Sequence, residues 1–391
     1  MKKRIASVDI MRALTMLMML FVNDFAGMTG IPHRMHHAAM TEDMLGFSDL
    51  VFPAFLFCVG LSIPLAVANR YRKGDSPLRV ILHIIERSVA LIIMGLFAMN
   101  MGGVEGGLSG NWYTLLCVCG FFLVWNAYPS ASEGRSHWWA IALKWLGIAL
   151  LVALMLYKDL NGIHFKVGWW GILGLIGWAY LVCSLAYVFI GGGLRNVAIA
   201  WIVTVALCLL NSLECIPADS TVRWLFLSFV PGGWTQHALV MSGVLASSLM
   251  LRAESDGKPL RLEACLWGLG VVMLICGIVS HRFWIISKIL ATPTWLFFCT
   301  AIFFPLFAII YWVADVKGRT AWARPISPAG TATLTCYSVP YIWYAIQGLV
   351  GFEYPAFLYN GVPGLLKALA FGFVIIGITW CLGKLHIKMK V

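Results

Sequence analysis

Long apolar runs follow one another along the chain, separated by short polar breaks, over residues 7–28, 46–69, 78–98, 112–128, 137–157, 169–190, 194–212, 234–252, 261–279, 294–314, 329–349 and 362–383. A membrane-spanning helix takes about 20 mostly apolar residues. Backbone in lipid must also satisfy its own hydrogen bonds, which a helix does. The pattern predicts an all-α polytopic integral membrane protein of eleven or twelve transmembrane helices in one bundle, the short run at 112–128 leaving the count open. No break is long enough to hold a separate domain, so residues 1–391 read as a single transmembrane domain.

Composition removes the competing classes. Hydrophobic residues make up 61% of the chain and charged ones 12%, against roughly 45–50% and about 25% in soluble domains. Disordered chains, disulfide-stapled secreted domains and ordinary soluble enzymes are excluded. The net charge of +11 would suit nucleic acid, but the basic residues form no stripe and do not interleave with aromatics, so no nucleic-acid partner is expected. They sort by loop instead. Eighteen of the 28 Lys and Arg fall at the two ends and in every second loop, and six in the alternate loops. The positive-inside rule then puts both termini in the cytoplasm and turns the loop at 29–45 outward. The first run, behind Met1-Lys2-Lys3-Arg4, has no small-residue cleavage site and is expected to be retained. The eleven cysteines lie nearly all inside apolar runs and read as buried reduced thiols.

Ionised groups at membrane depth are costly and usually face a bundle interior or a water-filled cavity. Here they crowd into the first three runs. Asp9 and Arg12 stand three apart on one helix face, Asn23 and Asp24 follow on the same helix, Asp49 opens the second run, and Glu86-Arg87 lie in the third. Isolated ion pairs would tie helices together; this clustering favours a functional cavity. Lys144 and Lys367 sit near run ends, where they can snorkel.

The outward loop reads Pro32-His33-Arg34-Met35-His36-His37-Ala38, followed by Glu42, Asp43 and Asp49. The spacing of its three histidines matches no helical zinc pair, so no metal is expected. A plain solvated loop is one remaining reading. The other is a general base or acyl acceptor, the task for which neutral imidazole suits near neutral pH.

The order of these pieces resembles the heparan-α-glucosaminide N-acetyltransferase family. The carriers are Ser7-Val8-Asp9-Ile10-Met11-Arg12-Ala13, Asn23, His37-Ala38, Asp49-Leu50-Val51-Phe52-Pro53 with Phe55-Leu56-Phe57 and Gly60, Arg87 with Gly95-Leu96-Phe97, and Ser287-Lys288. The similarity is strong over about 1–100, the motif-bearing core, and thin but continuous beyond it. The chain departs from the family at Ala13, usually Gly, and in lacking a Trp-Asn-Gly after His37-Ala38. It also has Val230-Pro231-Gly232-Gly233 for an Asp-Pro-Glu-Gly, and Pro340 at a family histidine. These differences suit a bacterial subgroup.

The resemblance implies a membrane acyltransferase that moves acetyl from cytoplasmic acetyl-CoA, its co-substrate, to the amine of a glucosamine-type sugar or glycan end on the far side of a bacterial inner membrane. It implies His37 as base or acetyl carrier, with His36 the competitor, Asn23 as hydrogen-bond donor to the thioester oxygen, and Asp49 or Asp24 orienting the imidazole. Arg12, Arg87 and Arg4 are the candidates for CoA phosphates, and Asp24, Lys288 and His36 for the sugar. An O-acetyltransferase of an exported glycan or lipid-linked sugar is the alternative. A secondary sugar transporter is a third reading, although no internal repeat of the kind many transporters carry is visible. A homodimer is left open.

Overall fold

The computed structural model describes residues 5–128, 138–168, 170–213, 220–221, 231 and 233–390. Among them, twelve helices of sixteen residues or more follow one another, one for each apolar run. They are α1 (Ala6–Phe25), α2 (Val51–Arg72), α3 (Pro77–Met99), α4 (Gly110–Trp125), α5 (Trp138–Leu160), α6 (Gly171–Ile190), α7 (Leu194–Ser212), α8 (Gly233–Ser255), α9 (Pro259–Ser280), α10 (Pro293–Tyr311), α11 (Thr333–Val350) and α12 (Gly361–Lys384). No strand occurs among the described residues, only the isolated bridges Thr29–Asn360 and Asn126–Met389. Nine of the twelve helices are long and apolar enough to cross a membrane. The protein is an all-α polytopic integral membrane protein.

The three helices outside that nine have local reasons. Helix α4 is only sixteen residues long, and α11 carries Ser338, Gln347 and several hydroxyl-bearing residues. In α8, sixteen of 23 residues are buried, including Gln236, His237, Ser242, Ser247 and Ser248. Its surroundings are other helices rather than lipid, so small and polar residues are tolerated there and hydropathy falls. Helices α5 and α9 show the reverse pattern. They expose Trp145, Leu146, Val271, Val272 and Ile275, as a lipid-facing surface requires. Lys158, just beyond the apolar run at 137–157, lies buried in the last turn of α5. Its Nζ donates to the Asn100 carbonyl at 2.5 Å and stands 4.8 Å from the Tyr113 ring centroid.

Contacts divide the chain into two compact units, each drawn from three stretches. The first comprises Met1–Thr15, Pro32–Ile92 and Ile172–Arg324. In it, α2 packs along α8, α7 along α8, and α9 along α10. Phe57 of α2 is ringed by Phe303, Phe304 and Phe307 of α10 at centroid separations of 5.7, 5.6 and 6.3 Å. The first N–H groups of a helix have no intrahelical partner and favour a negative charge. Asp315 meets that need at α1, where its two carboxylate oxygens accept from Ala6 N–H and Ser7 N–H at 2.9 Å each. The second unit comprises Met16–Ile31, Ile93–Gly171 and Pro325–Val391. There α4 packs on α5 and on α11, and α11 on α12.

The α2–α8 contact is close because of two glycines. A Cβ on Gly60 would collide with the Val240 carbonyl oxygen and reach 2.9 Å from Gly243 Cα; one on Gly243 would collide with the Phe57 carbonyl oxygen. Gly60→Ala and Gly243→Ala are each expected to destabilise the purified protein by about 1–3 kcal/mol through overpacking. Gly268→Ala, whose Cβ would meet no atom within 4 Å, should leave the melting temperature in detergent unchanged or raised. Equal melting temperatures for all three would contradict this account of the crossing.

Candidate active site

The loop after α1 folds on itself before α2 begins. His36 N–H donates to His33 O, closing the 3-10 turn His33–Met35, and Ser48 Oγ donates to Met35 O at 2.6 Å. A second 3-10 turn, Phe47–Leu50, carries Asp49 to the head of α2. The helix therefore starts at Val51 rather than at the start of the apolar run, with Pro53 in its first turn, where its missing N–H costs nothing.

Asp49 is the centre of the cluster. Its side chain is 2% exposed. One carboxylate oxygen, Oδ2, accepts Ala38 N–H at 3.0 Å. The other, Oδ1, lies 2.8 Å from His37 Nδ1 and 3.0 Å from Lys288 Nζ, and Lys288 Nζ is 2.7 Å from His37 Nδ1. Ala38 N–H supplies Oδ2 and the Lys288 ammonium supplies Oδ1, so each oxygen of the buried carboxylate has a donor, and His37 Nδ1 stands within hydrogen-bond reach of both Asp49 Oδ1 and Lys288 Nζ. The ring is 44% exposed. A part-exposed imidazole anchored on its Nδ1 side can, through an unprotonated Nε2, accept a proton from a substrate or attack an acyl carbon.

A second set of contacts anchors this loop to the one following α9. Asp43 Oδ2 meets His281 Nε2 at 2.7 Å, Oδ1 accepts Ile286 N–H at 2.8 Å, and Ser287 Oγ donates to Met40 O at 3.0 Å. The Ile286 N–H, helped by His281, holds the Asp43 carboxyl below its ordinary value of 3.8. His33 pairs with Glu42 in turn. The loop histidines thus take separate carboxylates, His33 with Glu42 and His37 with Asp49.

The structure brings together three of the residues named from sequence: His37, Asp49 and Lys288. His36 is adjacent and half-buried. Arg12 lies in the same unit, with Nη1 3.2 Å from Asp9 and Nη2 donating to Ser62 Oγ at 2.7 Å. Arg87, also in that unit, stands 4.9 Å over the Tyr180 ring rather than pairing with neighbouring Glu86, which lies 4.0 Å from His83. Asn23 is exposed in the last turn of α1 and belongs to the second unit. So does Asp24, whose carboxylate is taken by Lys367 Nζ at 2.8 Å and by the Tyr344 hydroxyl at 2.9 Å. Lys367 does not snorkel. It is 12% exposed and stands 5.2 and 5.1 Å from the Tyr354 and Tyr359 ring centroids. Arg4 lies outside the described residues.

Sequence reasoning missed Asp43–His281 and Gly46. The first pair is 238 residues apart, and only the assignment of both loops to the outer side could have suggested it. A Cβ on Gly46 would collide with the His36 carbonyl oxygen and lie 3.1 Å from Asp49 Oδ2. That glycine lets the His36–His37 backbone close over the carboxylate.

Comparison with known proteins adds three findings. A family model described as "Domain of unknown function (DUF5009)" matches residues 4–211. Heparan-alpha-glucosaminide N-acetyltransferase of Mus musculus is 26% identical over 346 residues, covering 81% of this chain and 50% of that protein. The Homo sapiens protein of the same name is 36% identical over 106 residues, 27% of this chain and 15% of its own length. The chain thus spans at most half the length of these curated relatives.

The Asp43 anchor has a defined pH dependence. Because the folded carboxyl titrates below 3.8, its contribution is fully present above that value and lost as the pH falls through the lower, folded one. Asp43→Asn is expected to speed hydrogen exchange at the Ile286 amide at pH 6 while leaving amides in α2 unaffected. Unchanged exchange at Ile286 would show that the contact does not hold the loop.

Proposed function

The chain belongs to the DUF5009 family, and on that premise we propose that it is an integral-membrane acetyltransferase, carrying acetyl from cytoplasmic acetyl-CoA to an amino sugar on the outer side. The observation that carries this reading is the His37–Asp49–Lys288 cluster, taken with the similarity to curated N-acetyltransferases. Both termini are proposed to be cytoplasmic, from the charge asymmetry of the loops, which leaves His37 facing outward.

In the proposed reaction, His37 Nε2 accepts the proton of the attacking amine as the new C–N bond forms. The thioester C–S bond breaks, and the departing thiolate takes the proton back from the imidazolium. Asp49 keeps the ring oriented and stabilises the cation as it appears. Lys288 neutralises the buried carboxylate, so that a charge at membrane depth is not left unpaired. Arg12 and Arg87 are proposed to hold CoA phosphates, which a guanidinium fork suits.

Acetyl-CoA turnover by purified protein against a panel of amino sugars tests the reading. His37→Ala should lose roughly 10²–10⁴-fold in turnover, the usual worth of a positioned general base, with an unchanged elution profile. His36→Ala should retain activity. If the two results are exchanged, the role moves one residue; if both variants stay active, no imidazole of this loop acts.

Arg12→Ala should weaken acetyl-CoA binding about tenfold or more, the worth of one charge-assisted hydrogen bond, without altering preference among sugars. Unchanged binding would reduce Arg12 to a partner of Asp9 and Ser62.

A further inference from the structure

In the first unit, α6 and α7 diverge above α8 and leave an apolar groove of about 570 Å³, within the usual size range of small-molecule sites. Three contacts pin its walls to its floor. Cys183 Sγ of α6 donates to His237 O at 3.5 Å, Trp201 Nε1 of α7 to Ser242 Oγ at 2.8 Å, and Cys208 Sγ of α7 lies 3.2 Å from Thr235 Oγ1. The walls include Ala186 and Ile190 on one side and Ala200 and Val203 on the other, over Trp234 and Met241.

Two polar groups of the lining donate to backbone. Asn196 Nδ2 donates to Ile190 O at 2.6 Å and Thr204 Oγ1 to Trp201 O at 2.8 Å. The rest of the lining is mostly aliphatic and aromatic, as a hydrocarbon occupant would want. Both flanking helices are membrane spans, and Val203 is 48% exposed on the open side, so the groove opens into hydrocarbon. From Asn196 to Leu207 it follows α7 for about 16 Å, roughly half of a ~30 Å bilayer core.

One end lies beside the loop that carries Lys288. Trp234 lines that end from the first turn of α8, and the next residue, Thr235, donates through Oγ1 to Ala291 O at 2.5 Å. Ala291 N–H in turn donates to the carbonyl of Lys288, the residue paired with Asp49. A chain lying in the groove would therefore bring whatever it carries at its Trp234 end to the loop that fixes Lys288.

Resting on the acetyltransferase reading, we infer that the acceptor is a lipid-linked amino sugar whose hydrocarbon chain lies between α6 and α7. The bilayer then supplies the acceptor laterally, and the groove orients its amine toward His37. A water-soluble sugar would need no apolar trough ending at this loop.

The test uses full-length protein in lipid nanodiscs and an alkyl glucosaminide with a photoactivatable diazirine on its chain. Crosslinks are expected to map to α6, α7 and the start of α8. They should fall at least about tenfold in Ala200→Phe and, independently, in Ala186→Phe, which fill the groove from opposite walls. Both variants should keep wild-type turnover with free glucosamine and raise KM for the alkyl glucosaminide about tenfold or more, equivalent to about 1.4 kcal/mol. Crosslinks elsewhere, or crosslinks indifferent to both substitutions, would overturn the inference. Equal labelling by a probe with the same chain on phosphocholine would also overturn it, since the groove would then hold ordinary lipid. Groove labelling specific to the amino-sugar probe, without acetyl transfer to any acceptor, would leave the lipid-linked ligand standing and remove the acetyltransferase reading alone.

Discussion

A carboxylate that is 2% exposed at the head of a membrane helix has to be neutralised and supplied with donors where it stands. Asp49 is that group, and much of the candidate site is the solution to its burial. Its two oxygens draw in Ala38 N–H, His37 and Lys288 from two loops separated by most of the chain. Uncompensated burial would cost several kcal/mol, so the loops cannot separate without leaving the charge exposed to that penalty. The imidazole is oriented as a by-product of the same requirement. Asp43, Ser287 and Gly46 extend it: the first two bind the loops together, and the glycine allows the backbone to approach closely enough.

The helices behind the site follow a related rule. In a bilayer, helix association is not driven by excluding lipid from apolar side chains, and close packing takes over. Gly60 against Gly243 lets α2 and α8 touch backbone to backbone, and the rings of α10 fill around Phe57. Helix α8, enclosed by protein, can then afford a nearly polar face, whereas α5 and α9 keep the continuous apolar surface that lipid demands. The groove between α6 and α7 lies where this packing opens instead of closing.

The functional reading joins two independent lines. The geometry supplies an oriented, exposed imidazole backed by a buried ion pair, which suits proton abstraction or acyl transfer. The similarity, distant and spanning half of the mouse relative, supplies the acetyl group and the kind of acceptor. Neither line alone names the reaction. The groove adds a physical reason for the acceptor to arrive through the membrane.

The twelve elements were legible from the chain because a membrane span must be a long apolar run, and lipid enforces that pattern residue by residue. Polar residues inside such runs were equally legible as exceptions, which is how Asp49 and Arg12 could be singled out, whereas His37 and Lys288, in loops, were named from the loop's histidines and the family resemblance. Partner choice was not. Asp24 and Asp49 were equal candidates to orient His37 in the sequence, yet Asp49 holds it while Asp24 is consumed by Lys367 and Tyr344. Lys367 resembled an ordinary end-of-run lysine and Lys158 fell in a loop just beyond a run, yet both are drawn inside by aromatic rings and buried acceptors. Periodicity and charge depend on each residue's own transfer energy, which sequence displays. Pairing depends on which distant surfaces meet, and contacts such as Asp43 with His281, across 238 residues, exist only once the helices have packed.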